Sequence, residues 1–392
     1  GDVLVVKAVT TEAVGLAGAL SLSLTGSRVI TPLETYSATS SVGTTYFTHT
    51  VASGIDGTVT VSATAPDTAG NDATTSGTTT FIVDTTPPAA PTALALTATG
   101  GTNQVANALN GLNTNFTVSA TITGDVGTAG GTAELLVDGT AFTPRVIASV
   151  ANGATAVSLT PSFTTKTAVQ AAIAEGTRSL TVRLTDSAGN ATTSTANRSI
   201  LADYTAPTVL TVATSASGSK TTGASVAITV TMSEAVTTSA SATLTLETGT
   251  TDRNATCPAV TTSTTLTCTY DVVSGDTASR LDYVATSSLA TSGTVRDAAG
   301  NAATLTLPAT GGSGLYTANV VIDTTPPNAP TVALTSTDSG TASDRVTNVA
   351  PVIGVTAEAG STVAVTATKD GNAFTLFTGL SSISGTGSQV SW

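Results

Sequence analysis

The sequence predicts an all-β chain of tandem antiparallel β-sandwich domains, and three observations predict it. Thr, Ser, Ala, Gly and Val dominate, while charged residues make up 10% and aromatics 4%. Small, β-branched and hydroxylated side chains suit strands and tight turns. Apolar and polar residues also alternate over short runs, as in Thr58-Val59-Thr60-Val61-Ser62-Ala63, Ser179-Leu180-Thr181-Val182-Arg183-Leu184, Val226-Ala227-Ile228-Thr229-Val230-Thr231 and Thr362-Val363-Ala364-Val365-Thr366-Ala367. Period two turns one face of a strand to a core and the other to water. The third observation is a boundary sequence that returns at near-constant spacing.

That boundary is Val83-Asp84-Thr85-Thr86-Pro87-Pro88, then Ala202-Asp203-Tyr204-Thr205-Ala206-Pro207, then Ile322-Asp323-Thr324-Thr325-Pro326-Pro327. Its Asp recurs after 119 and then 120 positions, a length that suits one sandwich of ordinary size. The 392 residues therefore divide at 1–84, 85–203, 204–323 and 324–392, the first and last domains being partial. Proline at each boundary fixes φ and stiffens the link.

A second motif precedes each boundary: Asp67-Thr68-Ala69-Gly70-Asn71, Asp186-Ser187-Ala188-Gly189-Asn190 and Asp297-Ala298-Ala299-Gly300-Asn301. It predicts a tight hairpin turn, in which Asp closes on the backbone and Gly or Asn supplies positive φ. The motif stands 17 residues before the boundary Asp in the first two repeats and 26 in the third, so a loop insertion is expected around Gly311–Gly314. Only Thr167–Glu175 looks helical. Strand patterning is already under way at Gly1–Val6 and stops without turn chemistry at Gly385–Trp392. The chain is therefore expected to be an ordered section of a longer protein.

The net charge of −12 and pI near 4.3, with 13 scattered Lys and Arg, argue against nucleic acid, which needs clustered cations. Cations are the natural counter-charge. No apolar run approaches the ~18 residues that span a bilayer, so no membrane span is expected in this segment. A Thr-rich, Lys-poor surface suits an extracellular chain.

The Asp-Thr-Thr-Pro-Pro boundary and the Asp-x-Ala-Gly-Asn turn are accompanied by Val230-Thr231-Met232-Ser233-Glu234-Ala235-Val236, and by Asp338-Ser339-Gly340 followed by Asp344 and Thr347-Asn348. Together these resemble the bacterial immunoglobulin-like repeats of giant secreted surface proteins, the large repeat adhesins and biofilm-associated proteins of Gram-negative bacteria. The resemblance covers nearly all of the chain. It implies immunoglobulin-like sandwiches that form a stalk or adhesive region on the bacterial surface, with calcium at the domain junctions.

Calcium takes six to eight oxygens, mostly carboxylate and carbonyl, so the acids must converge at one end of a domain. In a sandwich of this kind the loops after the second and sixth strands cluster where the chain enters. Placed there, Asp297 and Glu234 come near Asp203; Asp186 and Asp125 come near Asp84; Glu358 comes near Asp323. The alternative is that each Asp only caps its own turn. Asp338, Asp344 and Asn348 form a separate acidic loop, either a second cation loop or a solvated one.

Cys257 and Cys268 flank a hairpin-like stretch, so their side chains can meet across an antiparallel pair as a disulfide, which suits a secreted chain. Two unpaired buried thiols are the alternative. His49, the single histidine, stands in an alternating strand, and no nucleophile pattern, phosphate loop or zinc spacing occurs, so no enzyme is expected. Asn115, Asn190, Asn197 and Asn254 each stand in an Asn-x-Ser/Thr context, which arises easily by chance in so Thr-rich a chain. Two functions remain. One is structural: a calcium-stiffened stalk, or a lattice, sheath or filament built from copies of the chain or neighbouring domains. The other is an adhesin whose loops bind cell-surface glycan or protein, and the scarcity of exposed aromatic platforms favours the first.

Overall fold

The computed structural model of the chain describes residues 3–10, 21–26, 43–50, 56–66, 69, 71–74, 79–123, 125–312, 314–334, 352–369, 372–381 and 388–391. They form an all-β structure of antiparallel sheets with two short helices.

The first large core lies between the first two boundaries. One sheet has the strand order Ala156–Leu159, Asn115–Thr121, Thr92–Thr99. The facing sheet runs Thr140–Ala141, Gly131–Val137, Gly176–Thr185, Arg198–Ala202, Ala108–Leu109, with the last pair parallel. Alternate residues of both sheets meet: Leu96, Phe116 and Val118 from one, Leu135, Leu180, Val182 and Ile200 from the other. Each fully buried side chain of this size contributes roughly 1.5–3 kcal/mol. Phe142 packs edge-on against both Phe116 and Phe163, and Phe163 lies tilted against Phe116, with ring centroids 5.9–6.3 Å apart. The helix spans Lys166–Ala172, capped by the Thr165 hydroxyl and pinned to the core by Val169. It ends sooner than its sequence suggests because Ile173 turns extended into the same core, leaving Glu175 just ahead of the strand Gly176–Thr185.

The second large core shares no residue with the first. Its main sheet runs Val209–Ala213, Ser225–Thr238, Ser263–Asp271, Arg253–Cys257, Ala242–Glu247, Asp282–Tyr283. A smaller sheet places Val320–Asp323 between Gly218–Lys220 and Thr277–Ala278. The long connection around Gly311 is tied down on both sides by buried Leu307 and Leu315, and the Gly311 N–H donates to the Asp282 carboxylate at 2.8 Å. Leu315 sits in a single helical turn, Gly314–Thr317.

The strand Ser225–Thr238 carries the feature that matters most for the site. Its pairing with Ser263–Asp271 passes from Thr231 opposite Thr265 to Val236 opposite Ser263, so several residues of the long strand bulge out of register. A bulge bends a strand and re-aims its side chains. Glu234, which the sequence places after the strand, instead lies within it at this bulge.

Before the first boundary, Val3–Thr10 pairs with Gly43–Thr50, and Gly57–Pro66 pairs with Ser21–Gly26, Asp72–Thr74 and Thr79–Val83. After the last boundary, Val352–Thr356 pairs with Thr331–Leu334 and Ser388–Ser391, and Thr362–Lys369 pairs with Asn372–Ser381. Asp67, Asp338, Asp344 and Asn348 lie outside the described residues.

Cys257 and Cys268 face each other on adjacent strands of the second core, both fully buried, and are joined by a disulfide. The bridge closes a loop of 11 residues, for which the chain-entropy account gives roughly 2–3 kcal/mol of stabilisation. Reducing it, or replacing both cysteines by Ser, is therefore expected to lower the unfolding free energy of the second core by that amount while leaving the first core unchanged. Urea unfolding with and without reductant measures this.

Candidate metal centre

The Asp-x-Ala-Gly-Asn turns build the site from the backbone up. One carboxylate oxygen of Asp297 accepts the N–H groups of Ala299, Gly300 and Asn301 at 2.8, 2.7 and 2.9 Å, and the other accepts the Asn301 side-chain amide at 2.8 Å. Asp186 is held alike by the N–H groups of Ala188 and Asn190 at 2.9 and 2.8 Å and by the Asn190 side chain at 3.0 Å. Gly189 and Gly300 both have φ +96°, the left-handed conformation the turn requires. Turn capping is thus present at both acids, and it fixes where each carboxylate points.

Each Asn then reaches across a boundary. The Asn190 amide donates to the Asp84 carbonyl at 2.9 Å, and the Asn301 amide donates to the Asp203 carbonyl at 2.8 Å. The bulge of Ser225–Thr238 is held to the same linker: the Ser233 N–H donates to the Thr208 carbonyl at 2.8 Å, and the Thr208 N–H to the Ser233 hydroxyl at 2.9 Å. Glu234 is thereby delivered beside the boundary. Asp203, Glu234 and Asp297 each offer a carboxylate oxygen within 4.8 Å of the others, the one such group of three acids among the described residues.

Two of these carboxyls, Asp203 and Glu234, hold their protons more tightly than usual. Burial pushes Asp203 up first, with the charges of Asp297 and Glu175 adding to it. Burial likewise raises Glu234, followed by the charges of Asp203, Asp297 and Glu175. At the preceding boundary Asp84 is raised by burial, and Asp186, Asp56 and Asp125 add to that. Two boundaries therefore gather four acids each.

Asp56 and Glu175 are members that the sequence motifs did not bring out. Asp56 accepts the Thr85 N–H at 2.7 Å and the Thr85 hydroxyl at 2.8 Å, and also the Thr86 hydroxyl. Glu175 accepts the Tyr204 N–H and the Thr205 hydroxyl, both at 2.9 Å. The signal was available: Asp56-Gly57-Thr58 and Glu175-Gly176-Thr177 stand 119 positions apart, the period of the boundary itself.

The third boundary is built differently. Asp323 accepts the Thr325 N–H at 3.0 Å, whereas Glu358 accepts both the backbone and side-chain amides of Asn328 at 2.9 and 3.2 Å. The Thr324 hydroxyl donates to the Asp276 carbonyl at 2.9 Å, so a backbone group takes the place that Asp56 and Glu175 hold elsewhere.

The donor set at Asp203 consists of carboxylate oxygens whose charges oppose one another, with no His or Cys among the three. That chemistry fits a hard divalent cation such as calcium, which takes oxygen ligands in flexible geometry. Three of the Asn-x-Ser/Thr residues are already engaged: Asn115 donates to the Pro161 and Phe163 carbonyls at 2.8 and 3.1 Å, Asn190 bridges the turn to the linker, and Asn254 accepts the Thr245 hydroxyl at 2.8 Å. No helix among the described residues is long and apolar enough to cross a membrane.

No family model and no curated protein matches the chain. Six solved chains do. One belongs to a study of host cell surface retention of a 1.5-MDa bacterial ice-binding adhesin, at 20% identity over 77% of this chain and 88% of that one, with a TM-score of 0.28. Another is SGBP-B of the Bacteroides ovatus mixed-linkage glucan utilization locus, in complex with a mixed-linkage heptasaccharide. It matches at 12% identity over 83% of this chain and 67% of that one, with a TM-score of 0.16. Likeness at this level carries nothing for the function of this chain.

The raised carboxyls fix a sign for pH dependence. Asp203 and Glu234 hold their protons more tightly folded than unfolded, so without metal their charged forms cost stability at neutral pH. That cost is relieved as pH falls through the raised values and is gone below the ordinary values of 3.8 and 4.5. Glu134, held low by Arg145 and Arg183, works in the opposite sense and loses its contribution only at lower pH. Melting curves of the chain in chelator should therefore show a smaller stability gain on acidification from pH 7 toward pH 4.5 for Glu234→Gln than for the parent chain.

Proposed function

We propose that this chain is a non-catalytic structural segment of an extracellular bacterial surface protein, in which tandem immunoglobulin-like sandwich domains (1–84, 85–203, 204–323 and 324–392) are joined by calcium-stiffened junctions. Its work is mechanical: a stalk, or one element of a cell-envelope lattice, sheath or filament. The observation that supports this best is the meeting of Asp203, Glu234 and Asp297 from a linker, a strand bulge and a turn. Three elements from the two sides of one boundary converge there, and turn closure accounts for Asp297 but not for Glu234 beside it.

The magnitudes favour a cation. Two unit charges about 4 Å apart repel by about 4 kcal/mol at an effective dielectric near 20, and solvent at a part-exposed boundary reduces this without removing it. A divalent ion converts that repulsion into attraction across the joint. A joint held from both sides resists bending, which a mechanical spacer needs and a single binding pocket does not.

Calorimetric titration of the chelated chain with calcium, alongside melting temperature, tests this. Calcium at about a hundred times its dissociation constant should stabilise the chain by about 2.7 kcal/mol per site. Glu234→Gln should abolish one site while leaving the turn at Asp297 intact. Magnesium, which demands tighter octahedral geometry, should bind more weakly. Identical melting curves in calcium and in chelator would remove the proposal.

A further inference from the structure

We infer that the sheets on either side of Asp203 are fastened by a hydrogen-bonded interlock that needs no metal, in which the loop Gly100–Asn113 docks onto the turn Asp297–Asn301 with Asn301 at its centre. The inference deepens the stiff-joint reading above, and it holds whether or not the acids bind an ion.

Asn301 is 4% exposed and uses both ends of its amide. The nitrogen donates to the Asp203 carbonyl and to Asp297, both at 2.8 Å, and the oxygen accepts the Gly111 N–H at 2.7 Å. One side chain thus joins its own turn, the linker 98 residues back and a loop 190 residues back. The docking loop is pre-shaped by its own bonds. The Asn110 N–H donates to the Asn113 side chain at 2.7 Å, and the buried Asn110 amide donates to the Asn103 carbonyl at 2.8 Å.

The fit between the two backbones leaves no room for side chains. A Cβ on Gly300 would stand 2.3 Å from the Asn103 carbonyl oxygen, and one on Gly111 would stand 2.8 Å from the Tyr204 carbonyl oxygen. The equivalent Gly189 has the same φ of +96° but nothing within 4 Å of its Cβ position. The two glycines therefore form a matched pair: substitution strains both turns equally, and only at Gly300 does it also strike the neighbouring loop.

The two contacts that cross this interface through Asn301, to the Asp203 carbonyl and from the Gly111 N–H, are made by neutral backbone groups, so neither needs a metal. They also set the separation of Asp203 and Asp297 before any ion arrives. Asn301 is in this sense a positioning residue for the acids, although it offers no ligand to a cation.

Distance distributions between nitroxide labels at Ile147→Cys and Val284→Cys, positions 50% and 42% exposed on the two sides, test the interlock in the full chain. In excess chelator the otherwise unchanged chain and Gly189→Ala should each give one narrow peak, and Gly300→Ala should lose it. Asn301→Ala against Asn190→Ala supplies the same comparison if Gly300→Ala fails to fold, as melting curves would reveal. A broad distribution in chelator that narrows only on adding calcium overturns the interlock while supporting the metal. A narrow distribution in chelator with no calcium binding keeps the interlock and removes the metal. Gly300→Ala and Asn301→Ala indistinguishable from their controls would overturn it outright.

Discussion

The first two boundaries depend on one interaction, a carboxylate closing on the amides of its own turn. Burying the charge of Asp297 without partners would be costly, and the three backbone N–H groups on one of its oxygens remove most of that cost. The same bonds hold the turn rigid and leave the Asn301 amide facing the linker. Asp186 and Asn190 repeat the device one boundary earlier. The orientation of a turn against the neighbouring linker thus begins as local chemistry within five residues.

Acids within the cores are treated differently from acids at the boundaries. Glu134 is nearly buried and kept ionised by Arg145 and Arg183. Asp276 is disfavoured by burial, but Arg253, the Val273 N–H and the Tyr270 hydroxyl outweigh this and hold its carboxyl low. Asp84, Asp203 and Glu234 are pushed upward by burial first, and they have acids as neighbours that add to it. A chain with 13 Lys and Arg thus places guanidinium groups beside Glu134 and Asp276 and gathers acids beside one another at two of its boundaries. This contrast in environment, more than overall acidity, is what a metal at the joints would explain.

Much of the strand structure was legible because it is local. Val226, Ile228 and Val230, or Leu180, Val182 and Leu184, alternate in the sequence and are buried in alternation. The turn motifs were equally plain, since Asp, Gly and Asn act there on their own backbone. Glu234 was less legible: its position depends on a bulge whose register is set by Ser263–Thr265, about thirty residues away. Asp56 and Glu175 shared the repeat period but no conspicuous motif. Asn190 carried a misleading one, an Asn-x-Thr pattern, when its amide was needed for the linker.

By itself the sequence determined an all-β chain with a period near 120 residues, the turns that cap themselves, and an acid beside every boundary. Period-two burial and turn chemistry act over a few residues, so they can be read directly. Tertiary structure alone decided which acids share a space, that Asn301 closes on Asp203 and Gly111, and that Gly300 is in contact where Gly189 is free. Those outcomes rest on groups 98 to 190 residues apart being brought within hydrogen-bond distance. No local pattern encodes such a distance, because it follows from how two separately cored sets of sheets meet.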